Sequence, residues 1–190
     1  MDTVRIGLVG CGSYGISHLE AFASIPGVEI VAVFDVDRAR AESAAGGFAI
    51  SRVCGSLEEI CGMDELHAVD VVSTETAHYG PVLAAIASGK HVFVEKPLAT
   101  NLDECARMIE AARAAGRILM VGLLLRFETK YALIKRELDS GRLGTIVSMH
   151  ARRNRPKSLL PVYGRKSQFV RTWRELSAWR NLVTSTLSRL

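Results

Sequence analysis

Apolar runs alternate with amphipathic stretches over the first 125 residues, and that rhythm limits the accessible folds more than any other feature of the chain. Val4–Val9 is rich in branched apolar residues and ends at Gly10. Residues 13–24 have helical spacing, with Ile16, Leu19 and Ala23 on one face, and Pro26-Gly27 breaks them off. Val28–Phe34 is nearly all apolar, which predicts a strand buried on both faces. Residues 38–45 are Ala-rich and helical, with Asp37 as the better cap candidate and Gly46-Gly47 as the stop. Residues 49–53 suit a short edge strand, and residues 56–61 open on Ser-Leu-Glu-Glu, a capping-box pattern.

The alternation continues. Residues 68–73 read as the next apolar strand, 81–88 as a helix with Pro81 in its first turn and Gly89 as its stop, and His91–Val94 as a strand. Residues 101–115 are the clearest helix. Asn101 can cap it, Glu104 closes the box, Cys105, Met108, Ile109 and Ala112 form its stripe, and Gly116 ends it. Residues 118–121 give a sixth strand. Continuous apolar strands between helices predict a parallel sheet covered on both faces, and right-handed crossovers make it an α/β, doubly wound fold. Past residue 122 the rhythm changes. Phe127, Tyr131, Ile134 and Leu138 form one helical stripe, Gly141 and Gly144 punctuate, and residues 145–150 read as a strand.

Composition removes several classes. Hydrophobic residues at 48% and charged residues at 23% exclude general disorder. The longest unbroken apolar stretch, residues 118–125, falls well short of the roughly 20 residues a membrane helix needs, so no membrane partner is expected. No export signal is read at the N-terminus. Cysteines stand at 11, 54, 61 and 105, with no CxxC spacing, so neither a redox pair nor a zinc knuckle is encoded and no metal is expected. Free thiols in a reducing cytoplasm are the expectation. Residues 1–150 carry 14 basic and 19 acidic residues, whereas 151–190 carry 10 basic residues and only Glu175. A basic tail raises the question of nucleic acid, but neither an aromatic-interleaved RNA motif nor a helix-turn-helix accompanies it, so that partner is not expected.

Three motifs carry chemistry. Gly10-Cys11-Gly12-Ser13-Tyr14-Gly15 is a G-x-G-x-x-G between a strand and a helix. Gly10 permits the tight turn, Gly12 lets backbone approach a pyrophosphate, and Gly15 lets helix pack on strand, while the amides and dipole at the helix start hold phosphates. Asp35 ends the second strand, 20 residues after Gly15, where a carboxylate can accept both ribose hydroxyls and favours NAD. Arg38 nearby keeps NADP as the alternative. Glu95-Lys96-Pro97 follows a buried parallel strand, at the edge where α/β ligands bind. Lys96 is there a cation able to orient a substrate hydroxyl or stabilise a developing alkoxide.

At these residues the sequence resembles the Gfo/Idh/MocA family of NAD(P)-dependent oxidoreductases. The resemblance runs through VRIGLVGCGSYGISH, PGVEIVAVFDVDRARAE, ASGKHVFVEKPLATNLDE and AAGRILMVGLLLRFE, from Val4 to about Gly164. It implies an N-terminal Rossmann domain and a C-terminal open-sheet domain. The implied activity is hydride transfer between nicotinamide and a hydroxyl-bearing carbon of a sugar, cyclitol or related small molecule. The implied cofactor site comprises Gly10, Gly12, Ser13, Tyr14 and Gly15 around the pyrophosphate, Asp35 at the ribose, Thr74 and His78 beside the cofactor, and Glu95 bordering the nicotinamide. Lys96 becomes the catalytic lysine, and Arg126 faces substrate at the domain junction. Glu75 stands where the family has Pro, and His78 lies closer to Thr74 than in the family pattern.

The implied organisation is a dinucleotide-binding Rossmann domain over 1–122, an incomplete second α+β domain over 123–164 and an atypical basic tail over 165–190. The family continues past this point with a His-Asp-Ile-Asp-like segment that supplies a substrate-side acid/base His. Histidines occur here only at 18, 67, 78, 91 and 150, none in such a setting. Out-of-frame coding is the favoured origin of the tail, with a replacement helix on Trp173, Leu176 and Trp179 as the alternative. Two functional readings stay open: an oxidoreductase, or a catalytically incomplete nicotinamide-dinucleotide-binding protein. An unpaired edge in the partial domain invites homo-oligomerisation.

Overall fold

The computed structural model describes residues 3–150, and the basic tail lies outside them. Six strands form one parallel sheet: β1 (Val4–Val9), β2 (Val28–Phe34), β3 (Arg52–Val53), β4 (Ala68–Val71), β5 (His91–Val94) and β6 (Leu119–Val121). Their order is β3-β2-β1-β4-β5-β6. This is the doubly wound α/β arrangement, with its topological switch between β1 and β4.

Six helices accompany the sheet: α1 (Ser13–Ala23), α2 (Arg38–Gly47), α3 (Leu57–Cys61), α4 (Tyr79–Ala87), α5 (Leu102–Ala114) and α6 (Thr129–Asp139). The starts that side-chain chemistry encodes are realised. Asp37 accepts from the Arg40 amide, Ser56 from the Glu59 amide at 3.1 Å and Asn101 from the Glu104 amide at 2.8 Å. The box at α3 is closed one residue early, since Glu59 accepts from the Gly55 amide at 2.7 Å.

Alternation along the strands divides the core in two. Val9, Ala32, Val69, Val71, Val92 and Val94 pack with Ile60, Val82, Ile86, Met108 and Ala112, against α3, α4 and α5. Leu8, Val33 and Val72 pack with Leu19, Ala41, Ala44 and Ala45, against α1 and α2. A right-handed βαβ unit places helices on opposite faces according to the direction in which the chain moves along the sheet.

Three local expectations change. The strand at β4 is not uniformly apolar, because Asp70 lies wholly buried in its middle. The α5 stripe buries Met108 and Ala112 but leaves Ile109 half exposed, at the margin of the contact with the sheet. Residues 145–150 are exposed and form no strand. A strand is completed by a neighbour's backbone, and no described strand pairs with this segment. Residues 1–136 form one compact unit, and a second begins at Glu137. Among the described residues no helix is long and apolar enough to cross a membrane.

Candidate functional site

At the switch point the chain leaves β1 through Gly10, with φ +103°, a conformation that favours glycine. A side chain there would also strike the Val72–Ser73 backbone, with a Cβ only 2.7 Å from the Ser73 nitrogen. Gly15 is buried, and its Cβ would overlap the Gly10 carbonyl oxygen, so helix and turn meet in direct backbone contact. Gly12 differs from both. Its φ of −73° suits any residue, and nothing described lies within 4 Å of a Cβ placed on it. The helix cap thus combines a bare backbone with open space at the positive end of α1. Ser13 and Tyr14 form its first turn and both are exposed.

Asp35 reaches this turn from the end of β2. Its Oδ2 accepts from the Cys11 amide at 2.7 Å and its Oδ1 from the Asp37 amide at 2.8 Å. The carboxylate is thereby fixed beside the glycine turn, and Asp37 takes the helix-cap role. Cys11 is buried, and burial, then the Asp35 charge, pushes its thiol up to about 12. It is a packing residue without thiolate reactivity at neutral pH.

The loops after β4 and β5 meet through His78. Its ring is 1% exposed, with Nδ1 2.8 Å from the Pro97 carbonyl oxygen and Nε2 3.1 Å from that of Ser73. Thr74 is exposed at the head of a 3₁₀ turn over Glu75–Ala77. The Lys96-Pro97 peptide is cis. Arg126 lies exposed in a 3₁₀ turn after β6.

Glu95 and Lys96 stand at the carboxyl end of β5. Lys96 Nζ lies 3.5 Å from Glu95 Oε2 and 5.4 Å from the Tyr14 ring centroid, which joins the β5 loop to the first turn of α1. Glu95 Oε2 also accepts from the Lys96 amide at 3.0 Å. Behind this pair sit two groups that the motif reading did not assign. His18, on α1, places Nδ1 2.8 Å from Asp70 Oδ2 and Nε2 3.7 Å from Glu95 Oε1. The ring stacks on Phe93 at 5.7 Å between centroids.

The charges of this cluster are set by one another. Burial alone would favour a neutral His18, but the bonds and charges of Asp70 and Glu95 outweigh it and raise the imidazole to about 9. Burial pushes Glu95 up, yet His18 and then Lys96 more than offset this and hold its carboxyl below the ordinary value. For Asp70 burial wins and the carboxyl is raised, with His18 opposing. Its Oδ1 has no hydrogen-bond partner among the described residues. The two carboxylates address opposite nitrogens of one ring, so the three groups do not converge on a point where a metal could sit.

His18 closes the quoted stretch VRIGLVGCGSYGISH, three residues after Gly15, where helical spacing returns it to the same side of α1. Asp70 was marked by its type: a carboxylate within an otherwise apolar parallel strand requires a partner. That the partner is His18 depends on the β1-β4 adjacency, which no local pattern states.

Comparison with known proteins places this geometry among relatives. The family model for the GFO_IDH_MocA oxidoreductase family, NAD-binding Rossmann fold, matches residues 4–123. Inositol 2-dehydrogenase 3 of Saccharopolyspora erythraea is 40% identical over 156 residues, which is 81% of this chain and 46% of that protein. Inositol 2-dehydrogenase of Acidothermus cellulolyticus is 41% identical over 156 residues, with the same coverage. The crystal structure of myo-inositol dehydrogenase from Lactobacillus casei in complex with NAD(H) and myo-inositol superposes with a TM-score of 0.72 at 32% identity, covering 75% of this chain and 43% of that one. This chain spans about half the length of the curated relatives it matches.

Proposed function

We propose, from the premise that this chain belongs to the Gfo/Idh/MocA oxidoreductase family with its NAD-binding Rossmann fold, that residues 1–122 bind NAD(H) and serve hydride transfer at a hydroxyl-bearing carbon of a cyclitol or sugar. The observation that carries this reading is Gly12. Gly10 and Gly15 are required by the packing of the protein itself, whereas no described neighbour limits Gly12. A bare backbone under open space at a helix start suits the close approach of a diphosphate. The residues around it fit the rest of the dinucleotide.

Ser13 and Tyr14 line the phosphate end with the three glycines. Asp35, fixed by the Cys11 and Asp37 amides, offers its carboxylate to the adenosine ribose hydroxyls and repels a 2′-phosphate, which favours NAD over NADP. Thr74 borders the cofactor at the switch point. His78, buried between two loops, acts by holding the β4 and β5 loops together. Bound there, the dinucleotide supplies a hydride acceptor or donor at its nicotinamide ring. Glu95 borders that ring and positions Lys96. The Lys96 ammonium is placed to hold the substrate oxygen and to stabilise negative charge that develops on it. The inositol dehydrogenases among the relatives favour a cyclitol substrate.

Binding and turnover are separate tests. Calorimetry with NAD and NADH on the folded chain should show saturable binding. Gly12→Ala should weaken that binding by about tenfold or more while shifting stability by under about 1 kcal/mol. Absence of heat with both coenzyme forms on folded protein would falsify the reading. Turnover is assayed over a panel of cyclitols, sugars and polyols in both directions. Lys96→Met should lower it by about 10²–10⁴-fold with coenzyme affinity retained. Binding without turnover on any substrate would instead favour a nicotinamide-dinucleotide-binding protein that does not catalyse.

A further inference from the structure

We propose that His18 is a positioning residue for the Glu95–Lys96 pair: anchored on the buried Asp70, its imidazole fixes the Glu95 carboxylate and, through it, the Lys96 ammonium. The proposal deepens the reading of Lys96 as the group that meets substrate, and it rests on that reading for its consequence.

The contacts form one continuous path. Asp70 Oδ2 lies 2.8 Å from His18 Nδ1, His18 Nε2 lies 3.7 Å from Glu95 Oε1, and Glu95 Oε2 lies 3.5 Å from Lys96 Nζ. Each end of the Glu95 carboxylate is therefore addressed by a different cation. The imidazole is held in orientation by Phe93 stacked at 5.7 Å and by Phe22 edge-on at 6.3 Å. Gly122 closes the remaining side, since a Cβ there would lie 2.9 Å from Glu95 Oε1. The carboxylate so confined has little room to swing away from Lys96.

The titratable groups that face His18 are Asp70 from β4 and Glu95 from the end of β5, with Lys96 behind Glu95. Two carboxylates around one ring favour the imidazolium and outweigh its burial. A network that only filled space could be apolar, as the opposite face of β4 and β5 is, and apolar packing is often at least as stable as buried ion pairs. Here the ionic groups lead to the one exposed ammonium of the candidate site. Asp70 is the deep anchor, His18 the connector and Glu95 the surface end.

The test observes Glu95 and Lys96 directly, by carbon NMR titration of the labelled full chain, with NADH binding measured alongside. In the native protein Glu95 should titrate below an ordinary glutamate. In His18→Leu its titration should move up by about one unit or more, the Lys96 side-chain signal should shift, and NADH affinity should fall by about tenfold. Asp70→Asn keeps the shape and supplies a second route if the first variant does not fold. It should bring the His18 titration down from about 9 toward the ordinary 6.5 and, by loosening the His18 anchor, shift the Lys96 side-chain signal as His18→Leu does. A folded variant in which Glu95 and Lys96 signals are unmoved overturns the proposal, because a merely structural histidine would change stability alone. If they move but NADH binds neither native protein nor variant, positioning stands and the dinucleotide reading fails.

Discussion

The two faces of β4 and β5 follow the same backbone and obey different rules. On one face Val69, Val71, Val92 and Val94 meet α4 and α5 in a wholly apolar cluster. One residue out of phase, Asp70 and Phe93 turn toward α1, where His18 awaits them, and Glu95 continues that side past the strand end. Both faces are buried, so burial alone does not dictate composition. The difference lies in what the covering helices do. α4 and α5 only cover, whereas α1 begins at the glycine turn and carries His18 on its next turn. The polar face thereby ties α1, which starts at the glycine turn, to the loop that holds Lys96.

The largest expected effect comes from exchanging the rules. Val71→Asp puts a carboxyl on the apolar face, among Val9, Val82 and Val94, where no polar partner is available in that cluster. Loss of about 4 kcal/mol or more is expected, enough to unfold a marginal domain. Urea denaturation measures it. A loss under about 1 kcal/mol would mean the two faces are not distinct in the way described.

A second contrast is in pH. His18 is raised from 6.5 to about 9, so its contribution is fully present below 6.5 and disappears as pH rises through 9. The contribution is at most about 3 kcal/mol by linkage, and the burial of Asp70 subtracts from it. The apolar face holds Cys61, which burial pushes up from 9.0 to about 11, so it loses stability only above pH 9. Cys11, raised to about 12, behaves likewise. Chemical denaturation from pH 6 to 10 should therefore show a first decline between 6.5 and 9 that His18→Leu removes and a later one that it leaves intact. A flat profile between 6.5 and 9 in the native chain would refute the charged-histidine assignment.

Much of this contrast was legible in the residues. The strand-helix alternation, the glycine turn, Asp35 at the end of β2 and Glu95-Lys96 after β5 are local patterns, and the parallel sheet follows from them. The caps at Asp37, Ser56 and Asn101 were legible for the same reason, since a cap is a contact over three residues. His18 and Asp70 were not assigned because they are 52 residues apart and meet only when β4 docks beside β1. The buried state of His78 was equally hidden, as its partners lie in two different loops. The strand expected over 145–150 failed on the opposite count: its pattern was local, but the neighbour that would complete it is not among the described residues. Periodicity reports which residues could share a face, and only long-range adjacency decides whether that face finds a partner.

The smallest effect should come from removing Asp70 and His18, the two inner members of the polar network, together. Asp70→Val alone leaves His18 facing one carboxylate instead of two, and His18→Leu alone leaves Asp70 buried with no cation beside it. The second is the worse case, since Asp70 is fully buried while the His18 side chain keeps 15% exposure. A loss of about 2 kcal/mol is expected for His18→Leu and about 1 kcal/mol for Asp70→Val. The double variant should lie within about 1 kcal/mol of the native chain, because two apolar side chains extend the packing of Phe93 and Phe22, Asp70 is no longer buried without a cation, and Glu95 keeps Lys96. A double-variant cycle by urea denaturation reads the coupling. Simple additivity of the two losses would show that the histidine and the aspartate act independently despite their 2.8 Å contact. A near-native double variant that still binds NADH weakly would separate the two roles of this face, since stability would then be recoverable with apolar groups and the placement of Lys96 would not.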